Sequence, residues 1–300
     1  MIILEKLEQI VKESEIKSNE PLKKYSFTKT GGNAEKLILV KSEEDLSNII
    51  KYSLTYGVKL TVLGNGSNVL ISDKGIKGVT IITSGMNNIS RNGNEVICEA
   101  GATLKELADF CIREELSGLE FSCGIPGSIG GAIFMNAGAY GGEVKDVVTR
   151  VETIDEKGEK KVYSNADMKF SYRHSIIQES KEIITKVYFK LQKGNRKNIV
   201  SRVDELNKLR ADKQPLEYPS CGSVFKRPEG HFAGKLIQDA GCQGLTVGGA
   251  QVSTKHAGFM VNINAATCED YKSLIKQVQE KVYNQFGVEL EREVKIIGEE

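Results

Sequence analysis

Apolar residues recur along this chain with two periods, and each period marks a class of element. Leu4, Leu7, Ile10 and Val11 stand at helical spacing in MIILEKLEQIVKESEIK and predict an amphipathic helix. Leu37–Val40 reads as a strand. Ser42 then caps a helix with Leu46, Ile49, Ile50 and Leu54 on its apolar face, and Gly57 stops it. Val58–Leu63 is a second strand, which completes a β-α-β unit and runs straight into Gly64-Asn65-Gly66-Ser67-Asn68.

From about residue 79 strands dominate: Val79–Thr83, Glu95–Ala100, Val147–Asp155 and Glu182–Leu191. One clear helix interrupts them, where Thr103 and Glu106 make a capping box and Leu104, Leu107, Ala108 and Cys111 form the stripe. Glu156-Lys157-Gly158-Glu159 has the composition of a hairpin turn. This balance predicts an α+β domain with a mainly antiparallel sheet. Beyond it come a linking helix over 198–210, a helix over 232–240, a strand over 259–263, a helix over 269–286 ended by Gly287, and a closing strand over 288–297.

Composition narrows the chemistry. Forty-one lysines and arginines against 40 acids leave a net charge of +1, so an anion site has to be local, and a dedicated nucleic-acid binder is disfavoured. The cysteines at 98, 111, 123, 221, 242 and 268 form no C-x-x-C pair, a scatter typical of reduced thiols in the cytosol. The N-terminal segment lacks the basic start and apolar core of a signal peptide, and no apolar run approaches a membrane span.

Glycine carries the first functional signal. Seven glycines fall in the 19 residues from Gly124 to Gly142, where average usage of about 7% would give one or two. Glycine lets backbone N–H groups approach an anion, and runs of such groups make phosphate nests. Two loops of this kind point to a phosphate-binding cradle for one extended nucleotide; turns and bulges are the plain alternative. A Rossmann G-x-G-x-x-G fails at Val69, and neither a Walker A string nor a G-x-S-x-G elbow is present.

Four strings, in this order, resemble a known family: Leu63-Gly64-Asn65-Gly66-Ser67-Asn68, Gly124-Ile125-Pro126-Gly127-Ser128-Ile129-Gly130-Gly131, Asn136-Ala137-Gly138-Ala139-Tyr140-Gly141 and Gly222-Ser223-Val224-Phe225-Lys226. They are similar to those of the UDP-N-acetylenolpyruvoylglucosamine reductases, from about Thr28 to Ile297. The resemblance implies an α+β, FAD-binding fold of the vanillyl-alcohol-oxidase type. FAD-binding subdomains would span 1–82 and 83–200, with a substrate domain over 201–300; the strand 288–297 is a candidate to join the first. It implies non-covalent FAD and NADPH as hydride donor. The reaction would reduce an enolpyruvyl ether of a UDP-amino sugar to a lactyl ether, the muramic acid step of peptidoglycan synthesis. A cytoplasmic monomer without membrane or nucleic-acid partners is expected.

Site roles carry over by motif. Tyr172-Arg173-His174-Ser175 matches Y-R-x-S and makes Arg173 the substrate-carboxylate arginine. Ser223 becomes the proton donor, and Leu290-Glu291-Arg292-Glu293-Val294 makes Glu293 the catalytic carboxylate. Gly64, Asn65, Gly66, Ser67, Asn68, Gly124, Gly127, Ser128, Gly130, Gly131, Gly138, Ala139 and Arg210 are expected at the FAD, with Lys226 and Arg227 at the substrate. An enolate-like state beside a carboxylate needs a cation, and a guanidinium fits it in two-pronged fashion. A buried, protonated carboxyl can add a hydrogen bond. Pattern alone reads these residues differently: Arg173 as a surface charge, Ser223 as a turn serine, and Glu289, Glu291 and Glu293 as one solvated strand face. Arg173 and Ser223 stand 223 − 173 = 50 residues apart, without the tyrosine-bearing insertion of a longer subclass, so the chain resembles the short subclass.

Overall fold

The computed structural model describes residues 6–299, so Leu4 of the expected first helix lies outside the described residues. Of that helix, Leu7–Ile10 is helical, and the chain is already extended at Val11. Asp45 accounts for the stop. Its carboxylate accepts from the N–H groups of Lys12, Glu13 and Ser14 at 2.8, 3.0 and 2.8 Å, which commits them to a turn instead of another helical turn.

The chain folds as two compact units, each assembled from separate stretches. The first comprises Met1–Ser18, Lys36–Asn65 and Gly78–Leu209; the second comprises Asn19–Glu35, Gly66–Lys77 and Arg210–Glu300.

In the first unit the helix Glu43–Tyr56 starts where the Ser42 side chain accepts from the Asp45 N–H and ends at left-handed Gly57, φ +64°. The strands it joins, Asn33–Leu39 and Leu60–Leu63, belong to one sheet but are separated by Ile76–Ile82, to which Leu60–Leu63 is parallel. A second sheet orders Lys160–Ser164, Val148–Ile154, Ile183–Lys190, Glu95–Glu99 and Ile89–Asn92, antiparallel throughout as expected. The helix Leu104–Arg113 has its full Thr103–Glu106 capping box and buries Leu104, Leu107, Ala108 and Cys111. Leu104, Leu107 and Cys111 share a core with Val151, Val187 and Phe189 of the sheet and with Ile129 and Ile133 of the glycine-rich segment. That segment is therefore anchored: each fully buried Ile or Leu contributes about 1.5–3 kcal/mol.

The second unit packs the helix Cys268–Phe286, held by a Thr267–Asp270 capping box, on the four-stranded order Ser220–Ser223, Phe259–Asn262, Ala250–Val252, Thr246–Val247. Tyr271, Leu274, Ile275, Val278 and Val282 form its buried stripe. The expected closing strand is shorter than its pattern. Only Lys295–Ile297 is a strand, parallel to Val69–Ile71. Upstream, the N–H groups of both Glu293 and Val294 reach the single carbonyl of Val224, at 2.8 and 3.3 Å, which breaks the ladder. All six cysteines are buried, and none of them is in a disulfide among the described residues.

Candidate active site

Within the first unit, Gly64 and Asn65 at the start of one glycine loop meet the other loop at Pro126 and Ser128. Asn65 donates its side-chain amide to the Pro126 carbonyl at 2.8 Å. A methyl on Gly64 would come within 2.6 Å of the Ser128 hydroxyl, so only glycine allows this approach. Ser128 caps the short helix Ile129–Phe134, its Oγ accepting from the Gly131 N–H at 3.3 Å. Gly130 donates its N–H to Ala100 at 2.8 Å, leaving the loop's open donors at Gly127 and Ser128. Both are buried, and neither N–H meets an acceptor among the described residues.

The loop 64–68 has a similar surplus. The N–H groups of Asn65, Gly66, Ser67 and Asn68 meet no acceptor among the described residues. Its carbonyls are occupied: that of Gly66 accepts from Phe27 at 3.0 Å, and that of Asn68 accepts from Lys295 at 3.1 Å. A rigid loop with four successive open donors is an anion nest. Buried backbone donors are rarely left without partners, so the donors at 127 and 128 point the same way. The residues present thus fit the diphosphate of FAD.

Arg173 sits at a turn in the first unit. Ser171 and His174 exchange N–H···O bonds at 3.2 Å in both directions, and Arg173 takes φ +56°. Its Nη2 reaches the Gly138 carbonyl at 3.5 Å, and its guanidinium lies 5.1 Å from the Tyr172 ring centre. Glu143 feels this charge. Burial raises its carboxyl, but bonds from Lys145 and Asn136, with the charges of Lys145 and Arg173, outweigh that and hold it below the usual carboxylate range. Gly138 and Ala139 pair with Glu143 and Gly142.

In the second unit Ser223 ends its strand behind Gly222, φ +76°, at an irregularity between the pairs Ser220–Val261 and Ser223–Phe259. Such a bulge re-aims the following side chain, and Ser223 is exposed. The Glu293 segment runs beside it: Phe225 bridges Arg292, Lys226 donates its N–H to Glu291 at 2.8 Å, and the Lys226 ammonium pairs with the Glu291 carboxylate at 2.5 Å. Asn68 donates its side-chain amide to the Glu293 carbonyl at 3.4 Å. Glu289 and Glu291 are exposed, whereas Glu293 is half-buried, so the acidic face expected from alternation is not uniform. Close to it, burial pushes the Cys221 thiol up to about 12. Arg227 is turned to its own loop: its Nε donates to the His231 carbonyl at 3.3 Å, and its guanidinium lies 4.0 Å from the Phe232 ring centre. Arg210, on the helix Arg196–Lys213, is 9% exposed.

Sequence reasoning missed the supports of these groups. Asn136, Glu143 and Gln178 brace the Arg173 turn, and Asn68 braces Glu293. Asn136 had one available signal, its place in the Asn136–Gly141 string. Gln178 had none, because nothing local distinguishes a bracing glutamine from a surface one. No helix among the described residues is long and apolar enough to cross a membrane.

Fold and loops define an FAD-binding α+β protein, and a family profile described as an FAD binding domain matches residues 34–162. A second profile, the C-terminal domain of UDP-N-acetylenolpyruvoylglucosamine reductase, matches residues 214–297. The chain belongs to the UDP-N-acetylenolpyruvoylglucosamine reductase family. It is 51% identical to that reductase of Pediococcus pentosaceus over 288 residues, 96% of each chain, and 48% identical to that of Caldanaerobacter subterraneus over 298 residues, 99% of each. The crystal structure of the Thermus caldophilus reductase superposes with a TM-score of 0.81 at 33% identity, covering 95% of this chain and 98% of the other.

Proposed function

We propose that this protein reduces the enolpyruvyl ether of UDP-N-acetylglucosamine to UDP-N-acetylmuramate, with NADPH as reductant and non-covalent FAD as carrier. The observation that carries the reading beyond family membership is the pairing of two segments in the second unit. The Glu293 N–H binds the carbonyl of Val224, the residue after Ser223, at 2.8 Å, which sets the two candidate proton-handling side chains on adjacent segments.

FAD, when bound, supplies the hydride that adds to the methylene carbon of the enolpyruvyl group. Every other task falls to the chain. The open N–H groups of the 64–68 loop and those of Gly127 and Ser128 are assigned to the FAD diphosphate, and Gly124, Gly130, Gly131, Gly138 and Ala139 to the same cofactor. Arg210 adds a fixed cation to that task. The Arg173 guanidinium binds the substrate carboxylate in two-pronged fashion and offsets the charge that develops next to it. Glu293, protonated, donates a hydrogen bond to the same enolate-like group. Ser223 delivers a proton to the carbon bearing the carboxylate; because a serine hydroxyl is a weak acid, the strong basicity of that carbon drives the transfer. Lys226 and Arg227 are assigned to the nucleotide part of the substrate. We read the protein further as a cytoplasmic monomer that needs no nucleic-acid partner, and its three-part division at 82 and 200 belongs to the same proposal.

Mixing the flavin-loaded protein with NADPH and the enolpyruvyl UDP-sugar tests the proposal. NADPH loss should depend on the sugar and match the appearance of the lactyl ether mole for mole. Flavin-loaded protein that oxidises NADPH at one rate with and without the sugar refutes it.

A further inference from the structure

Arg173 is a non-glycine residue in the left-handed region, φ +56°, a conformation L-residues keep only when their surroundings impose it. Besides the Ser171–His174 pair that closes the turn, Gln178 contacts it directly. Its side-chain amide donates to the Arg173 carbonyl at 2.9 Å and to the Phe134 carbonyl at 2.9 Å. Phe134 closes the helix that starts at the glycine cradle, so one amide ties the Arg173 turn to the end of that helix. Ser175 strengthens the tie by donating its hydroxyl to the same Phe134 carbonyl at 3.0 Å. From the other side, buried Asn136 donates to the Ser171 carbonyl at 2.9 Å and to the Glu143 carboxylate at 3.1 Å.

We propose that Gln178 is a positioning residue that fixes the Arg173 turn and thereby aims its guanidinium at the substrate carboxylate. This rests on the reading of Arg173 as the carboxylate-binding arginine. The amide has two hydrogens, and both go to main-chain carbonyls, so no other side chain of similar size and without two donors can replace it. Without that bond the Arg173 carbonyl loses the Gln178 amide, and the turn is held less firmly in the left-handed region. A guanidinium displaced by about 1 Å loses its two-pronged fit, which costs roughly 10- to 100-fold in the step that uses it.

The test compares Gln178→Met, which keeps the volume and removes both donors, with Arg173→Lys and with the double variant. Four quantities are measured on the flavin-loaded protein: the dissociation constant of the enolpyruvyl UDP-sugar, the rate at which that sugar reoxidises reduced flavin, the rate of flavin reduction by NADPH, and the melting temperature. Gln178→Met is expected to weaken the first two by roughly 10- to 100-fold and to leave the NADPH step within about twofold. The double variant should be no worse than Arg173→Lys alone, because both changes remove one interaction. If Arg173→Lys is impaired but Gln178→Met behaves as the parent, or if the two losses add in full, the positioning role of Gln178 is wrong while the Arg173 reading stands. If Gln178→Met slows both half-reactions equally, the residue is merely structural and the proposal falls. If Arg173→Lys itself matches the parent, both fall together. Should Gln178→Met not fold, Gln178→Asn, whose shorter amide cannot span both carbonyls, must show the same selective loss.

Discussion

Gly131, proposed above to lie at the FAD, allows a test that separates a glycine kept for a ligand from one kept for the protein. A methyl built there would touch only the Ser128 hydroxyl, at 3.3 Å, and the residue lies inside the helix Ile129–Phe134 at an ordinary negative φ. For the protein alone, Gly131→Ala gains about 0.5–1 kcal/mol of helix propensity. Against this, the Ser128 hydroxyl has to shift by a few tenths of an ångström, and its 3.3 Å bond to the Gly131 N–H is already long. The expected melting temperature of the flavin-free protein is therefore unchanged, or higher by up to about 3 °C. Gly66 is the contrasting case: a methyl there would run into the Tyr25 carbonyl oxygen at φ +66°, so the fold itself demands glycine.

The ligand responds in the opposite direction. A methyl on the cradle face holds a phosphate oxygen beyond hydrogen-bonding reach of a backbone N–H. One charge-assisted bond lost is worth about 1.5–3 kcal/mol. That predicts an FAD dissociation constant roughly 10- to 150-fold larger. Flavin is stripped from parent and variant, FAD is titrated back by its fluorescence change, and flavin-free samples are melted in parallel. A variant that binds FAD within about twofold of the parent, with an unchanged melting temperature, removes Gly131 from the flavin site. A large drop in melting temperature would show instead that this glycine serves packing.

Ser223→Ala is expected to leave NADPH-driven flavin reduction intact and to lower the reoxidation of reduced flavin by the enolpyruvyl sugar by at least roughly 10²-fold, read by stopped flow; an unchanged rate refutes its role as donor. Arg210→Ala should weaken FAD retention, measured as flavin lost on desalting, more than it slows turnover of the fully loaded enzyme; equal flavin occupancy and affinity argue against a phosphate contact. Burial pushes the Asp45 carboxyl up, but the N–H groups of Lys12, Glu13 and Ser14 and the Ser14 hydroxyl outweigh it and hold the group below the usual range. Its stabilisation is therefore complete above the unfolded value of about 3.9 and is lost as pH falls through the lower folded value. Asp45→Asn should cost about 1–3 kcal/mol in urea unfolding at pH 7 and less at pH 3; an equal cost at both refutes a charged contribution.

Much of the fold was legible because its signals are local. Ser42 and Gly57, Thr103 with Glu106, and Gly287 each bound a helix through contacts within a few residues. The short strands were not legible for the converse reason. Val69–Ile71 is a strand only because Lys295–Ile297 lies beside it, and no window of sequence contains both. The first helix illustrates competition: its periodicity includes Val11, but a carboxylate 34 residues away, that of Asp45, takes the backbone N–H groups just beyond it.

The site divides along the same line. Glycine density marked the cradle, since the shortage of side chains is itself written in the sequence. Glu293 was hidden by its neighbours, because period two groups it with Glu289 and Glu291 as one wet face. What sets it apart is tertiary. Two N–H groups converge on Val224, the ladder breaks, and the Asn68 amide takes the Glu293 carbonyl, so this carboxylate alone of the three is half-buried. Asn68 ends the same loop whose open N–H groups suit a diphosphate. The loop proposed to receive the phosphate and the backbone of the proposed acid Glu293 are therefore joined by one side chain. A change in the cradle at Asn68 should accordingly disturb the proton chemistry at Glu293 as well as cofactor affinity, a coupling that motif matching, which treats the two strings as independent, does not contain.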